Sequence, residues 1–123
     1  FLPVIAPIGI TKDGKSLNIN ADYAAVSVAT AIKAEKLVFM TDVKGIMKDI
    51  DDESTLYNKL SLSEAQSLIE NKIVSGGMIP KIQCCMSAIK KGIPRVHILD
   101  GMVEHSLLLE IFTDEGIGTM FYH

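Results

Sequence analysis

The sequence predicts an α/β fold, a three-layer α/β/α sandwich whose largely parallel sheet is covered on both faces by helices. Three observations carry this. The short apolar runs Leu37–Met40 and Val96–Leu99 have the length and composition of strands buried on both faces. Stretches with apolar residues at helical spacing alternate with them. The junctions are marked by Gly, Asp and Asn, the residues that turns favour. Strands alternating with helices give α/β architecture, and ligands of such sheets bind beyond the carboxyl ends of the strands.

The elements follow in order. Leu2–Ile10 is apolar with Pro3 and Pro7 near its ends, and is expected to be a core strand. Thr11–Gly14 is a turn carrying the Asp13-Gly14 hairpin signal, and Lys15–Ile19 is extended. Ala21–Ala34 is a helix with Ala21, Ala25, Val28, Ala29 and Ile32 at helical spacing; most are small, so it can pack closely on a sheet. Leu37–Met40 is a strand, Thr41–Gly45 its turn, and Asp49–Ser54 a solvated acidic loop. Ser61-x-x-Glu64 is a capping box that opens a helix with Leu62, Ala65, Leu68 and Ile69 on one face. The helix after Gly77 buries Ile82, Cys85, Met86 and Ile89 and stops at Gly92. Val96–Leu99 is a strand, Asp100-Gly101 a turn, Glu104–Phe112 a helix and Gly118–Tyr122 a final strand.

Composition narrows the function classes. A chain of 123 residues is one domain, 1–123. Its net charge of −3 argues against a nucleic-acid surface. No apolar run approaches the roughly 18 residues of a membrane span, and no secretory signal is visible, so a cytoplasmic protein is expected. The only two cysteines, Cys84 and Cys85, are adjacent within a helix and are expected to be reduced packing residues. No partners stand at zinc-ligand spacing, so no metal site is expected. The chain opens Phe1-Leu-Pro-Val-Ile-Ala, without an initiator methionine and directly in an apolar strand. That suggests the C-terminal portion of a longer protein.

The segment Ser75-Gly-Gly-Met-Ile-Pro-Lys81 is the most informative. Gly76 and Gly77 let backbone approach a ligand, and Pro80 suits the first turn of a helix. Lys81 in that turn opposes the helix dipole, which points to a strongly negative neighbour, with phosphate the obvious candidate. The plain alternative is a glycine turn ahead of an ordinary helix. Asn18-Ile-Asn-Ala-Asp22 puts three polar side chains at i, i+2 and i+4, just where a helix starts. Capping by Asn20 or Asp22 accounts for one of them; a carboxylate there can orient a lysine, and Asn18 can donate to an anion. Thr41-Asp42-Val43-Lys44-Gly45 is either a turn or a nucleotide-contacting loop. An EF-hand starting at Asp49 fails, because its sixth and twelfth positions hold Ser54 and Leu60. His97 and His105 suit structural roles. There is no Gly-x-Ser-x-Gly elbow, no P-loop and no Gly-x-Gly-x-x-Gly.

Together, Asn18–Asp22, Thr41–Gly45, Ser75–Lys81, Val96–Gly101 and the tail Leu108–Thr119 resemble the amino acid kinase family, in register through almost the whole chain. Within that family they are most similar to the members that phosphorylate N-acetyl-L-glutamate. The resemblance implies the carbamate kinase-like fold of the family, and transfer of the ATP γ-phosphoryl group to the side-chain carboxylate of N-acetyl-L-glutamate in arginine biosynthesis. It implies magnesium held mainly by the nucleotide phosphates. It gives Lys81 the role of stabilising the transferring phosphoryl group, and Asp22 that of organising the catalytic lysines. Asn18 and Asn20 would contact the acetylglutamate. Asp42, Val43, Lys44, Gly45, Ile46 and Met47 would line the nucleotide site with Ile73, Val74, Ser75, Gly76 and Gly77. The tail resembles that of arginine-inhibited members, which implies an arginine site bordered by His97, Glu110 and Gly116. The family's second catalytic lysine and its substrate-gripping arginine loop lie upstream and have no counterpart here. The chain is therefore expected to be the nucleotide-binding C-terminal half of the kinase, inactive alone, with the full-length protein a homo-oligomer. The alternatives are another family member (an aminoadipate, glutamate or uridylate kinase) or a non-catalytic module sensing arginine or nucleotide.

Overall fold

The computed structural model describes residues 1–113 and 116–123. Asp114 and Glu115, within the tail that carried the resemblance, lie outside the described residues.

Strand β1 (Ile8–Ile10) pairs antiparallel with β2 (Ser16–Asn18), forming a separate two-stranded hairpin around the predicted Asp13-Gly14 turn. The expected core strand Leu2–Ile10 is thus three residues long and stands outside the main sheet. Pro3 and Pro7 have no N–H to give a ladder, which disfavours a central strand. Phe1, Leu2, Val4 and Ile5 are exposed.

Helix α1 (Ala21–Ala31) ends earlier than expected. It is followed by β3 (Lys36–Thr41), a 3-10 turn at Glu53–Thr55 and a short strand that the sequence did not reveal, β4 (Lys59–Ser61). Helix α2 (Leu62–Glu70) opens with the predicted capping box: the Ser61 hydroxyl accepts the Glu64 N–H, and the Glu64 carboxylate accepts the Ser61 N–H at 2.8 Å. Helix α3 (Met78–Lys90), β5 (Arg95–Asp100), α4 (Ser106–Phe112) and β6 (Thr119–Tyr122) complete the chain. α4 begins two residues later than expected, because His105 takes a left-handed conformation at φ 58°.

The main sheet has the order β3-β5-β6-β4. β3 is parallel to β5 and β4 to β6, while β5 and β6 are antiparallel, so the sheet is mixed and mostly parallel, as an α/β fold requires. The side chains of β5 divide between its faces. Val96 and Ile98 pack with Phe121 and Leu60 against α1, α2 and α3, where Val26, Ala65, Ile82, Cys85 and Ile89 fill the core. His97 faces the other way and meets α4. Among the described residues no helix is long and apolar enough to cross a membrane.

The register Thr41↔Asp100 brings the carboxyl ends of β3 and β5 to one edge, and the Gly101 N–H donates to the Thr41 carbonyl at 2.8 Å. The loops leaving β3 and preceding α3 gather there.

Candidate functional site

A cleft of about 530 Å³ opens between the loop after β3 and the segment leading into α3. Its walls are apolar at Val43, Met47, Ile50, Val74 and Met78 and polar at Lys48, Asp49, Asp52, Thr55 and Ser75. Apolar walls with a few polar groups suit a small-molecule ligand that is part apolar and part polar.

The first wall is built by a chain of local constraints. The Thr41 hydroxyl accepts the Val43 N–H at 3.2 Å, closing the turn out of β3. The Ile46 N–H donates to the Thr119 hydroxyl at 2.8 Å. Gly45 leaves room for that bond: a Cβ on it would stand 2.5 Å from Thr119 Oγ1 and 3.1 Å from the Thr119 nitrogen. The Tyr57 N–H returns to the Ile46 carbonyl at 2.8 Å, and Met47 bridges Leu56, so residues 46–57 form a hairpin-like excursion. Inside it Thr55 Oγ1 accepts the Asp49 N–H at 3.0 Å and lies 2.6 Å from the Asp52 carbonyl. Asp49 and Asp52 each accept the N–H two residues on, at 3.0 Å, as Asx turns.

The sequence placed Asp49–Ser54 in solvent. Those residues are exposed in the structure, as expected, and Asp49, Ile50 and Asp52, flanked by Lys48 and Thr55, also border the cleft. The repeated Asp-x-Asp and Asp-x-Ser spacing was the available signal, since it marks a folded loop rather than a loose one.

Of the predicted nucleotide residues, Val43, Gly45, Met47, Ile73, Val74 and Ser75 line the cleft. Ile46 is wholly buried and serves the core. Lys44 pairs with Glu53 at 2.5 Å. Gly76 has φ 59°, and nothing lies within 4 Å of a Cβ built on Gly76 or Gly77, so space for a ligand exists there.

Pro80 is the third and Lys81 the fourth residue of α3, in its first turn as expected. Gly77 caps the helix without a side-chain bond, and no acid occupies its first turn. Lys81, Asp22, Phe39, Thr41, Cys84 and Ile98 line one narrow cavity of about 10 Å³, room for a single water. Asp22 and Lys81 are therefore neighbours, although the ion pair of Lys81 is with Asp42, 3.8 Å away. Asn20 caps α1: its side chain accepts the N–H groups of Asp22 and Tyr23 at 3.0 and 3.2 Å. Asn18 is exposed at the end of β2. Neither asparagine lines the Lys81 cavity. Burial pushes the thiols of Cys84 and Cys85 up, so both stay protonated packing groups. Among the described residues no three His, Cys, Asp or Glu side chains converge as a metal cage. A magnesium ion fits this donor set only if nucleotide phosphates supply most of its oxygens.

The predicted third group does come together. His97 Nδ1 lies 2.7 Å from Glu110 Oε1, and Glu110 Oε2 accepts the Ile117 N–H at 3.0 Å. A Cβ on Gly116 would stand 3.7 Å from the same oxygen. Burial lowers the His97 pKa against the opposing pull of Glu110, so the imidazole is neutral near pH 7 and Nδ1–H is the donor. Its Nε2, buried, has no hydrogen-bond partner among the described residues.

Comparison with known proteins gives this geometry a context. Residues 1–100 match the model of the amino acid kinase family. Over 120 residues the chain is 52% identical to an acetylglutamate kinase of Desulforamulus reducens, covering 98% of this chain and 42% of the relative. It is 54% identical to an acetylglutamate kinase of Methanococcus vannielii, covering 98% and 41%. The chain thus spans about two fifths of the length of these relatives. Among solved structures, N-acetylglutamate synthase of Neisseria gonorrhoeae complexed with coenzyme A and L-arginine superposes with a TM-score of 0.84 at 39% identity, covering 96% of this chain and 27% of that one. Carbamate kinase of Giardia lamblia bound to citric acid shares the fold, with a TM-score of 0.67 at 19% identity over 94% of this chain and 35% of that one.

Proposed function

Because the chain belongs to the amino acid kinase family, we propose that it is the nucleotide-binding C-terminal part of an acetylglutamate kinase. The full-length protein would transfer the γ-phosphoryl group of ATP to the side-chain carboxylate of N-acetyl-L-glutamate, a cytoplasmic step of arginine biosynthesis. The observation that carries the proposal is the convergence of the Val43–Met78 cleft, the Lys81–Asp22 cavity and the α3 N-terminus at one sheet edge.

The chemistry suits these parts. The acceptor is already an ionised carboxylate, so no general base is needed, and phosphoryl transfer is mainly positioning and charge neutralisation. The apolar walls of the cleft would hold the adenine, and Asp49 or Asp52 would face the ribose hydroxyls. Lys81 would meet the charge developing on the transferred group, and Asp22 would hold its direction across the shared cavity. Magnesium, when bound, neutralises phosphate charge. Asn18 would reach the acceptor, while Asn20 holds the start of α1 from which Asp22 projects. The test is a substrate panel on the full-length protein with ATP and magnesium. ADP release with acetylglutamate well above that with aminoadipate, glutamate or uridylate is expected. Preference for another acceptor would reassign the protein within the family, and no turnover with any would favour the sensing module.

A regulatory reading is supported by the His97–Glu110 pair and by the L-arginine complex of the similar synthase. Glu110 offers a guanidinium a carboxylate, already oriented by His97 Nδ1. Calorimetric titration of the full-length protein with arginine is expected to give saturable heat; its absence would remove this reading.

A further inference from the structure

We propose that Asp42 is the resting partner of Lys81 and that the phosphates of the incoming nucleotide displace it; this rests on the kinase reading above. The Lys81 ammonium stands 3.8 Å from Asp42 Oδ1. Asp22 shares the cavity with the lysine, yet Asp42 holds its charge. Asp42 follows Thr41, whose hydroxyl accepts the Val43 N–H and closes the turn around it, so the Asp42 backbone is held at the end of β3 rather than on a loose loop.

The exposures decide what this pair can do. The Asp42 side chain is 89% exposed and that of Lys81 29%. A pair so open to water is worth little, because solvent screens it and it orders two side chains. A doubly charged phosphate with several oxygens is a stronger partner for one ammonium. Asp42 can turn into solvent when displaced, with no buried charge left behind. Near the N-terminus of α3 an unpaired lysine opposes the helix dipole, so Asp42 also offsets that cost in the empty site. The carboxylate therefore holds the Lys81 ammonium at the end of β3 and weakens nucleotide affinity slightly by competing for it.

The test is a four-member cycle in the full-length protein: wild type, Asp42→Asn, Lys81→Ala and the double variant. Calorimetry gives Kd for magnesium-ATP, and turnover is measured alongside. Asp42→Asn is expected to tighten Kd by about two- to fivefold. In the Lys81→Ala background the same change is expected to leave Kd within about 1.5-fold. Asp42→Glu is expected to keep the wild-type value. No tightening, or equal tightening in both backgrounds, would overturn the proposal; equal tightening would mean that Asp42 repels phosphate without acting through Lys81. If Lys81→Ala instead leaves turnover intact, the kinase reading itself fails, and the proposal with it.

Discussion

Thr119 Oγ1 accepts the N–H of Ile46 at 2.8 Å, joining the loop after β3 to the last strand across 73 residues. Both residues are wholly buried. The hydroxyl at the far end of the chain is thus one of the ties that hold this wall of the cleft. Thr119→Val keeps shape and removes the acceptor, which leaves a buried N–H unpaired. A loss of about 1–3 kcal/mol is expected in urea unfolding, with weaker nucleotide binding alongside. Thr119→Ser is expected to restore most of both. A Thr119→Val protein as stable as the wild type would show that the bond does not hold the loop.

Asn20 separates capping from substrate contact. Asn20→Ala is expected to destabilise the chain by about 1 kcal/mol, and Asn20→Ser to recover it, because serine caps nearly as well. Thermal unfolding reads both. If the serine variant is as unstable as the alanine variant, the cap is not what Asn20 contributes.

The His97 imidazole gives a pH dependence of fixed sign. Burial holds its pKa below the ordinary 6.5. Between the lowered value and 6.5 the unfolded chain binds a proton that the folded chain does not, so stability rises with pH through that window. The contribution is complete above about pH 6.5 and is lost as pH falls through the folded-state pKa. Lys36 and Arg95 act in the same direction as burial, and Glu110 opposes it. His97→Gln cannot titrate and is expected to flatten the slope of stability between pH 5 and 6.5 relative to wild type. Equal slopes in the two proteins would mean that His97 is freely protonated in the folded state.

The isolated chain of 123 residues is expected to show no turnover with acetylglutamate and magnesium-ATP, because the second lysine and the arginine loop implied by the family resemblance are not in it. Any ADP release above the background of a Lys81→Ala control would contradict this.

Most of the fold was legible because buried strands and amphipathic helices leave periodic signals. Val96–Leu99 and the apolar spacing of Ile82, Cys85, Met86 and Ile89 are of this kind, and all of these residues are buried. β4 was not legible, since Lys59-Leu60-Ser61 is three residues long and becomes a strand only by pairing with β6. Leu2–Ile10 misled because its prolines resist a central ladder; only Ile8–Ile10 pairs, with β2, outside the main sheet. At the candidate site, the Lys81 and Asp22 neighbourhood was implied by the family resemblance, whereas the part of Asp49–Thr55 in the cleft wall was not. Its acidic composition signals solvent, and its residues 49–54 are indeed exposed; that the loop also borders the cleft depends on the hydrogen bonds around Thr55, which composition does not show. The pairing of Lys81 with Asp42 joins residues from different elements and carries no local pattern.

The central claim is that Lys81 acts on the transferred phosphoryl group. The most direct test is kcat of the full-length protein at saturating ATP and acetylglutamate, comparing wild type with Lys81→Ala. Loss of one aimed charge at a developing oxyanion is expected to lower kcat by about 100-fold or more. A kcat within about threefold of wild type would contradict the account.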